Sequence, residues 1–144
     1  MDRNGFLIEL SESPRTDFGR VDFHLQSDAQ KVFTAIWELE SQVNNGGFDQ
    51  YLRYTDSDVI AYAPIALAAI GAHACEAIVA EALGLIAPLP ETRAGREESL
   101  DRLGEAELRR LEQLDGDFCT YPDDLTELLY AFVAARPATF GSVP

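Results

Sequence analysis

Glu97, Asp101 and Glu105 recur at four-residue steps. If one helix runs through them, their carboxylates stand in a row about 5–6 Å apart and repel one another by a few tenths of a kcal/mol per pair. Such a row presents negative charge at intervals resembling the phosphates of one DNA strand; its plainer reading is a solvated helix face. Glu98–Arg102 and Glu105–Arg109 are compensating i, i+4 pairs in the favourable orientation, and Asp115, Asp117, Asp123 and Asp124 add charge further on. Pairs such as Glu38/Glu40 and Asp56/Asp58 have the residue types for general acid–base work. With 25 acids in 144 residues, however, such pairs arise by chance.

Other chemistries find less support. His73, Cys75 and Glu76 are close in sequence, but positions 73 and 75 do not share a helix face, and no H-E-x-x-H or C-x-x-C spacing occurs. His24 is isolated. No G-x-S-x-G is present, and Asn45-Gly46-Gly47 is neither a P-loop nor a dinucleotide fingerprint. The expectation is therefore no catalytic residue, no metal and no cofactor, with an unrecognised enzyme using carboxylates near the Asn44–Gln50 corner as the minor alternative.

Charge constrains the partners. Acids outnumber bases 25 to 11, for a formal net charge of −14. Such a surface repels bare nucleic acid and anionic membranes and favours a basic protein. The excess is spread, −6 over residues 1–60 and −8 over residues 61–144, as on a folded surface rather than a detachable tail. One lysine against ten arginines fits salt adaptation or a GC-rich genome equally well. No secretory pattern is visible at the N-terminus, and the stretch from Val59 to Ala72 is too short to span a bilayer, so a cytoplasmic protein with two reduced thiols, Cys75 and Cys119, is expected.

The elements that must position these groups read as helices. Val21, Phe23 and Leu25 alternate with polar neighbours, which predicts a short extended segment within residues 1–26. Ser27-Asp28-Ala29-Gln30 has the form of a capping box, after which Val32, Ile36, Leu39 and Val43 mark an apolar stripe. Asn44-Asn45-Gly46-Gly47 ends that helix, and Phe48 to Leu52 resumes it. A kink or fresh start is expected near Pro64, and a stop at Gly71. A helix from His73 to Ile86 follows, then a leucine-marked pair (Leu100, Leu103, Leu108, Leu111, Leu114) jointed at Gly104. The last helix runs from Asp123-Asp124 to Pro137. The sum is an all-α fold, one compact bundle of five to seven helices, divided into an N-terminal segment (1–26), a helical domain (27–136) and a short tail (137–144).

The run from Glu38 to Tyr51, with its core Val43-Asn44-Asn45-Gly46-Gly47-Phe48-Asp49-Gln50-Tyr51, resembles the signature of a bacterial DNA-mimic protein family whose shared region is otherwise a domain of unknown function. Ala63 to Ala72 and Leu114-Asp115-Gly116-Asp117-Phe118 are similar to two further family segments in the right order, so the likeness spans about residues 27–136. Leu52, Arg53 and Tyr54-Thr55 depart from the usual pattern. The resemblance implies an all-helical and often dimeric protein. In its best-described member, surface carboxylates occupy the DNA-binding face of a helix-turn-helix transcription factor; no catalytic residue comes with it. On this basis Asp49, Asp56, Asp58, Glu97, Asp101 and Glu105 are the candidate phosphate mimics. Asn44, Asn45 and Gln50 are expected to satisfy helix ends at a structural corner whose glycines are Gly46 and Gly47, with Phe48 and Tyr51 packed beneath. The expected partner is a basic, DNA-binding protein such as a transcription factor or nucleoid protein. The alternative is an immunity or antitoxin-type inhibitor of a basic toxin.

Overall fold

In the computed structural model, which describes residues 2–144, the chain is all-helical, with eight α-helices, one 3₁₀ turn and no strand among the described residues. The helices are α1 (Arg3–Glu12), α2 (Asp28–Tyr54), α3 (Ser57–Ile70), α4 (His73–Gly84), α5 (Arg93–Asp101), α6 (Glu105–Cys119), α7 (Leu125–Ala134) and the single turn α8 (Pro137–Phe140). The all-α bundle is as the sequence predicts.

Helix α2 organises the rest, packing against α3, α5 and α6. Its start follows from the capping box: the Gln30 amide donates to Ser27 Oγ at 3.2 Å while Gln30 Oε1 accepts from the Ser27 amide at 3.0 Å. Its apolar stripe, Val32, Ile36, Leu39 and Val43, is buried with Phe33. At Gly46 (φ −153°, ψ 18°) and Gly47 (φ 74°, ψ −175°) the backbone leaves the helical region, and a second half resumes with Phe48, Tyr51 and Leu52 all fully buried. The interrupted helix read from Asn44–Gly47 is present. Gly71 closes α3 in the left-handed conformation, and Gly104 separates α5 from α6.

Four expectations need correction. The N-terminal segment opens on a helix rather than an extended stretch: Asp2 caps the amide of Gly5 to start α1, which buries Leu7 and Leu10 against the domain beside α7. Phe23–Leu25 forms a 3₁₀ turn rather than an extended stretch, so that Val21 and Phe23 stay half-buried but Leu25 is 67% exposed and Gln26 is buried in its place. Helix α3 runs through Pro64 with no fresh start. Finally, Pro137 does not only end α7. It opens α8, whose Phe140 is buried against Phe33 and Phe132.

Candidate functional site

The Asn44–Tyr51 corner is held from outside α2. Asp115, on α6, accepts the Phe48 amide at 2.7 Å through Oδ1, capping the second half of α2 at the point where Gly47 has cut off its intrahelical acceptors. The fit is tight: a Cβ on Gly47 would stand 2.5 Å from Asp115 Oδ2 and 2.9 Å from Cγ. Burial lifts the Asp115 carboxyl above its ordinary range, the Phe48 amide pulls it back, and Glu112 and Asp49 push it up again. Beneath the corner, Phe48 packs edge-on against both Phe118 of α6 and Tyr51.

The polar residues of the corner serve side chains rather than the helix ends expected for them. Gln50 folds back over Gly46 and donates to Gln42 Oε1 at 2.8 Å; Gln42 donates to Glu38 Oε1 at 3.1 Å, which also accepts from Thr55 Oγ1 at 3.2 Å. This chain of bonds ties the two halves of α2 across the break. Asn44 faces the other way, donating to the Tyr121 hydroxyl at 2.7 Å, and that hydroxyl donates to Glu40 Oε2 at 3.3 Å. Tyr121 sits at φ 52°, a left-handed conformation costly for a bulky residue and maintained here by these contacts. Asn45 is exposed, and the buried Tyr51 hydroxyl has no hydrogen-bond partner among the described residues.

Beside Asn44 lies a cavity of about 140 Å³ lined by Asn4 and Leu7 of α1, Trp37, Glu40, Ser41 and Asn44 of α2, and Thr126 of α7. Among the described residues Glu40 is its only charged lining residue. Burial raises the Glu40 carboxyl above the ordinary carboxylate range; the Tyr121 hydroxyl lowers it and Asp124 raises it further. In the sequence Glu40 is only one of many acid pairs, because what singles it out is its partial burial in a pocket that α1 and α7 complete.

Glu97, Asp101 and Glu105 do not form the single row that a continuous helix would give. Helix α5 ends at Asp101 and α6 begins at Glu105, with Gly104 between them donating its amide to Glu107 Oε1 at 3.2 Å. Asp49 and Asp101 share one arginine: Arg53 Nε lies 2.9 Å from Asp49 Oδ2 and Nη2 2.9 Å from Asp101 Oδ1. Glu97 pairs with Arg93 at 3.3 Å and Glu105 with Arg109 at 3.4 Å. Asp56 and Asp58 form no ion pair among the described residues and are exposed on a cleft of about 560 Å³ with Glu91, Arg93 and Arg96. Of these cations, Arg96 is buried and committed to backbone: its Nε donates to Leu52 O at 2.8 Å, and its other nitrogens reach Ser57 Oγ and Arg53 O. Six candidate carboxylates against Arg53, Arg93 and Arg109 leave a net charge of −3.

Over the whole surface the balance stays negative. Among the described residues, seven carboxylates pair with an arginine: Asp49, Glu81, Glu97, Glu98, Asp101, Glu105 and Glu127. The other 18 of the 25 have no arginine or lysine partner. No group of three or more His, Cys, Asp or Glu with metal-holding geometry occurs among the described residues, and no described helix is long and apolar enough to cross a membrane. Cys75 is a buried free thiol that burial pushes up to about 11, its amide capped by Asp123 at 2.7 Å.

Comparison with protein-family models matches residues 25–136 to the family described as DMP19-like protein. No curated protein and no solved structure matches the chain.

Proposed function

The chain belongs to the DMP19-like protein family, and from that premise we propose that it is a cytoplasmic acidic interaction protein, a DNA mimic that occupies the DNA-binding face of a basic partner such as a transcription factor or nucleoid protein. The observation that carries this reading is the net charge of −14, with 18 of the 25 carboxylates, Glu40 and the Asp115 cap among them, lacking an arginine or lysine partner among the described residues. Fixed charge of one sign steers an oppositely charged partner and aligns it on docking.

The arginine pairs are compatible with this role. Glu97, Asp101 and Glu105 keep 41%, 67% and 92% of their side-chain surface exposed. Exposed pairs of this kind contribute about 0–1 kcal/mol, so a partner's cations can displace the intramolecular ones at little cost. The role is binding, with no chemical step assigned to the chain, and it includes a homodimer.

The test is capture and competition. Immobilised protein should retain a DNA-binding protein from a bacterial lysate, and duplex DNA should release it by competing for the same face. Raising salt from roughly 50 to 200 mM should weaken retention steeply, as for a phosphate backbone. A captured partner that neither DNA nor salt displaces would overturn the proposal.

A further inference from the structure

The Glu40 cavity has the chemistry of a receptor for one cationic side chain. Glu40 Oε2 accepts only from the Tyr121 hydroxyl, at 3.3 Å, and no arginine or lysine lines the cavity. The nearest basic residue in sequence to the lining, Arg3, is engaged elsewhere, pairing with Glu127 and lying 4.6 Å over the Tyr130 ring. Glu40 is half-buried, so its charge is partly stripped of water and gains from a cation that reaches it; among the described residues none pairs with it.

The remaining lining suits a planar, multidentate cation. Asn44 Oδ1 has only the weak thiol donor of Cys119, at 3.6 Å, and Ser41 and Thr126 add hydroxyl acceptors around the cavity. Trp37 forms an aromatic wall; Phe33 stacks on one face of its ring at 5.4 Å with 14° between planes. Guanidinium combines a fork of five donors with a flat face that packs on aromatic rings, whereas ammonium offers a strongly hydrated point charge. At about 140 Å³ the cavity falls below the roughly 300–1,000 Å³ that whole small-molecule ligands occupy, and fits a side-chain head group instead.

We propose that this cavity receives the guanidinium of one arginine from the protein partner, with Glu40 as its counter-ion, Asn44, Ser41 and Thr126 as further acceptors, and Trp37 as its wall. The inference rests on the interaction-protein reading above and adds to it a single anchoring contact on a surface otherwise bound by diffuse charge. Hot spots of protein interfaces are enriched in arginine seated in such pockets.

The chain's single tryptophan is Trp37, so fluorescence excited selectively at tryptophan, beyond the absorption of the five tyrosines, reports on this cavity. The wild-type protein is titrated with N-acetyl-arginine amide, its uncharged isostere N-acetyl-citrulline amide, and N-acetyl-lysine amide. A saturable change with the arginine compound, absent with citrulline and weaker with lysine, is the expected result. Glu40→Gln keeps an acceptor for Tyr121 and should weaken the arginine response by at least about tenfold, the effect of losing one charge-assisted hydrogen bond. Ser41→Arg, which places a guanidinium on the exposed rim and leaves Glu40 intact, should abolish the response, with far-UV circular dichroism checking the fold of both variants. An equal response to citrulline, an equal or stronger response to lysine, or an unchanged response in folded Glu40→Gln overturns the assignment. Because the titration needs no partner, its failure beside a DNA-displaceable partner removes the anchor alone. Success beside a salt-indifferent partner removes the mimicry alone.

Discussion

Replacing Gly47 with alanine is the sharpest perturbation of the corner that the structure defines. Two separate costs are predicted. Gly47 lies at φ 74°, ψ −175°, a region open essentially to glycine alone, and a side chain held there costs about 1–3 kcal/mol. The new Cβ would also stand 2.5 Å from Asp115 Oδ2. The carboxylate must withdraw and the Phe48 amide then loses its cap, a loss of about 0.5–2 kcal/mol. Together these give a destabilisation of about 1.5–5 kcal/mol. Gly71→Ala is the control: its φ is 80° and nothing lies within 4 Å of its Cβ position, so only the left-handed strain of about 1–2 kcal/mol applies. Urea unfolding of both variants, at unchanged m, separates the two contributions. Asp115→Ala completes a cycle: Gly47→Ala and Asp115→Ala together should cost about 1 kcal/mol less than the sum of the singles, because the cap can be lost only once. A Gly47→Ala variant no less stable than Gly71→Ala, or a strictly additive double variant, would refute the assignment of Asp115 as the tertiary cap.

The electrostatics yield three further expectations. Arg53→Ala frees Asp49 and Asp101 from their shared cation; retention of the basic partner at low salt should tighten and its salt dependence steepen, and unchanged retention would argue that this edge lies outside the interface. Arg96→Met strips the buried donor from Leu52 O and should lower the urea-derived stability by about 1–3 kcal/mol, the cost of a buried carbonyl left unpaired. Both Glu40 and Asp115 are raised above their ordinary values of 4.5 and 3.8, so each binds its proton more tightly folded than unfolded. Stability is therefore gained as pH falls through the raised folded values, is complete below the ordinary ones, and is lost again as pH rises. The thermal midpoint of the wild type should climb on mild acidification from neutrality, and the climb should shrink in Asp115→Asn, which keeps an acceptor for Phe48 without the charge.

What was legible in the sequence was the local part of the molecule. The Ser27–Gln30 box, the interruption at Asn44–Gly47 and the left-handed stop at Gly71 are each encoded within four residues, where a short polar side chain or a missing Cβ acts on its own backbone. Helix α1 was hidden because only Leu7 and Leu10 among its apolar residues are fully buried while Ile8 faces solvent, leaving no stripe for periodicity to detect. The broken carboxylate row had a local signal in Gly104 and Glu107, one that four-residue spacing alone overlooks. The long-range contacts had none: Asp115 reaches Phe48 across 67 positions, Arg53 reaches Asp101 across 48, and the Glu40 pocket is completed only when α1 and α7 arrive. Pairings within one helix, such as Glu98–Arg102 and Glu105–Arg109, were readable from spacing and are present.

The lock on the Gly47 bend comes from a residue made much later than the bend itself. Residues 28–54 leave the ribosome with the Gly46–Gly47 break and the Gln50–Gln42–Glu38 bonds to bring the two halves together, but without the cap on the Phe48 amide, which comes from a carboxylate 67 positions further along the chain. The bend is therefore completed only when α6 docks and Asp115 reaches the Phe48 amide.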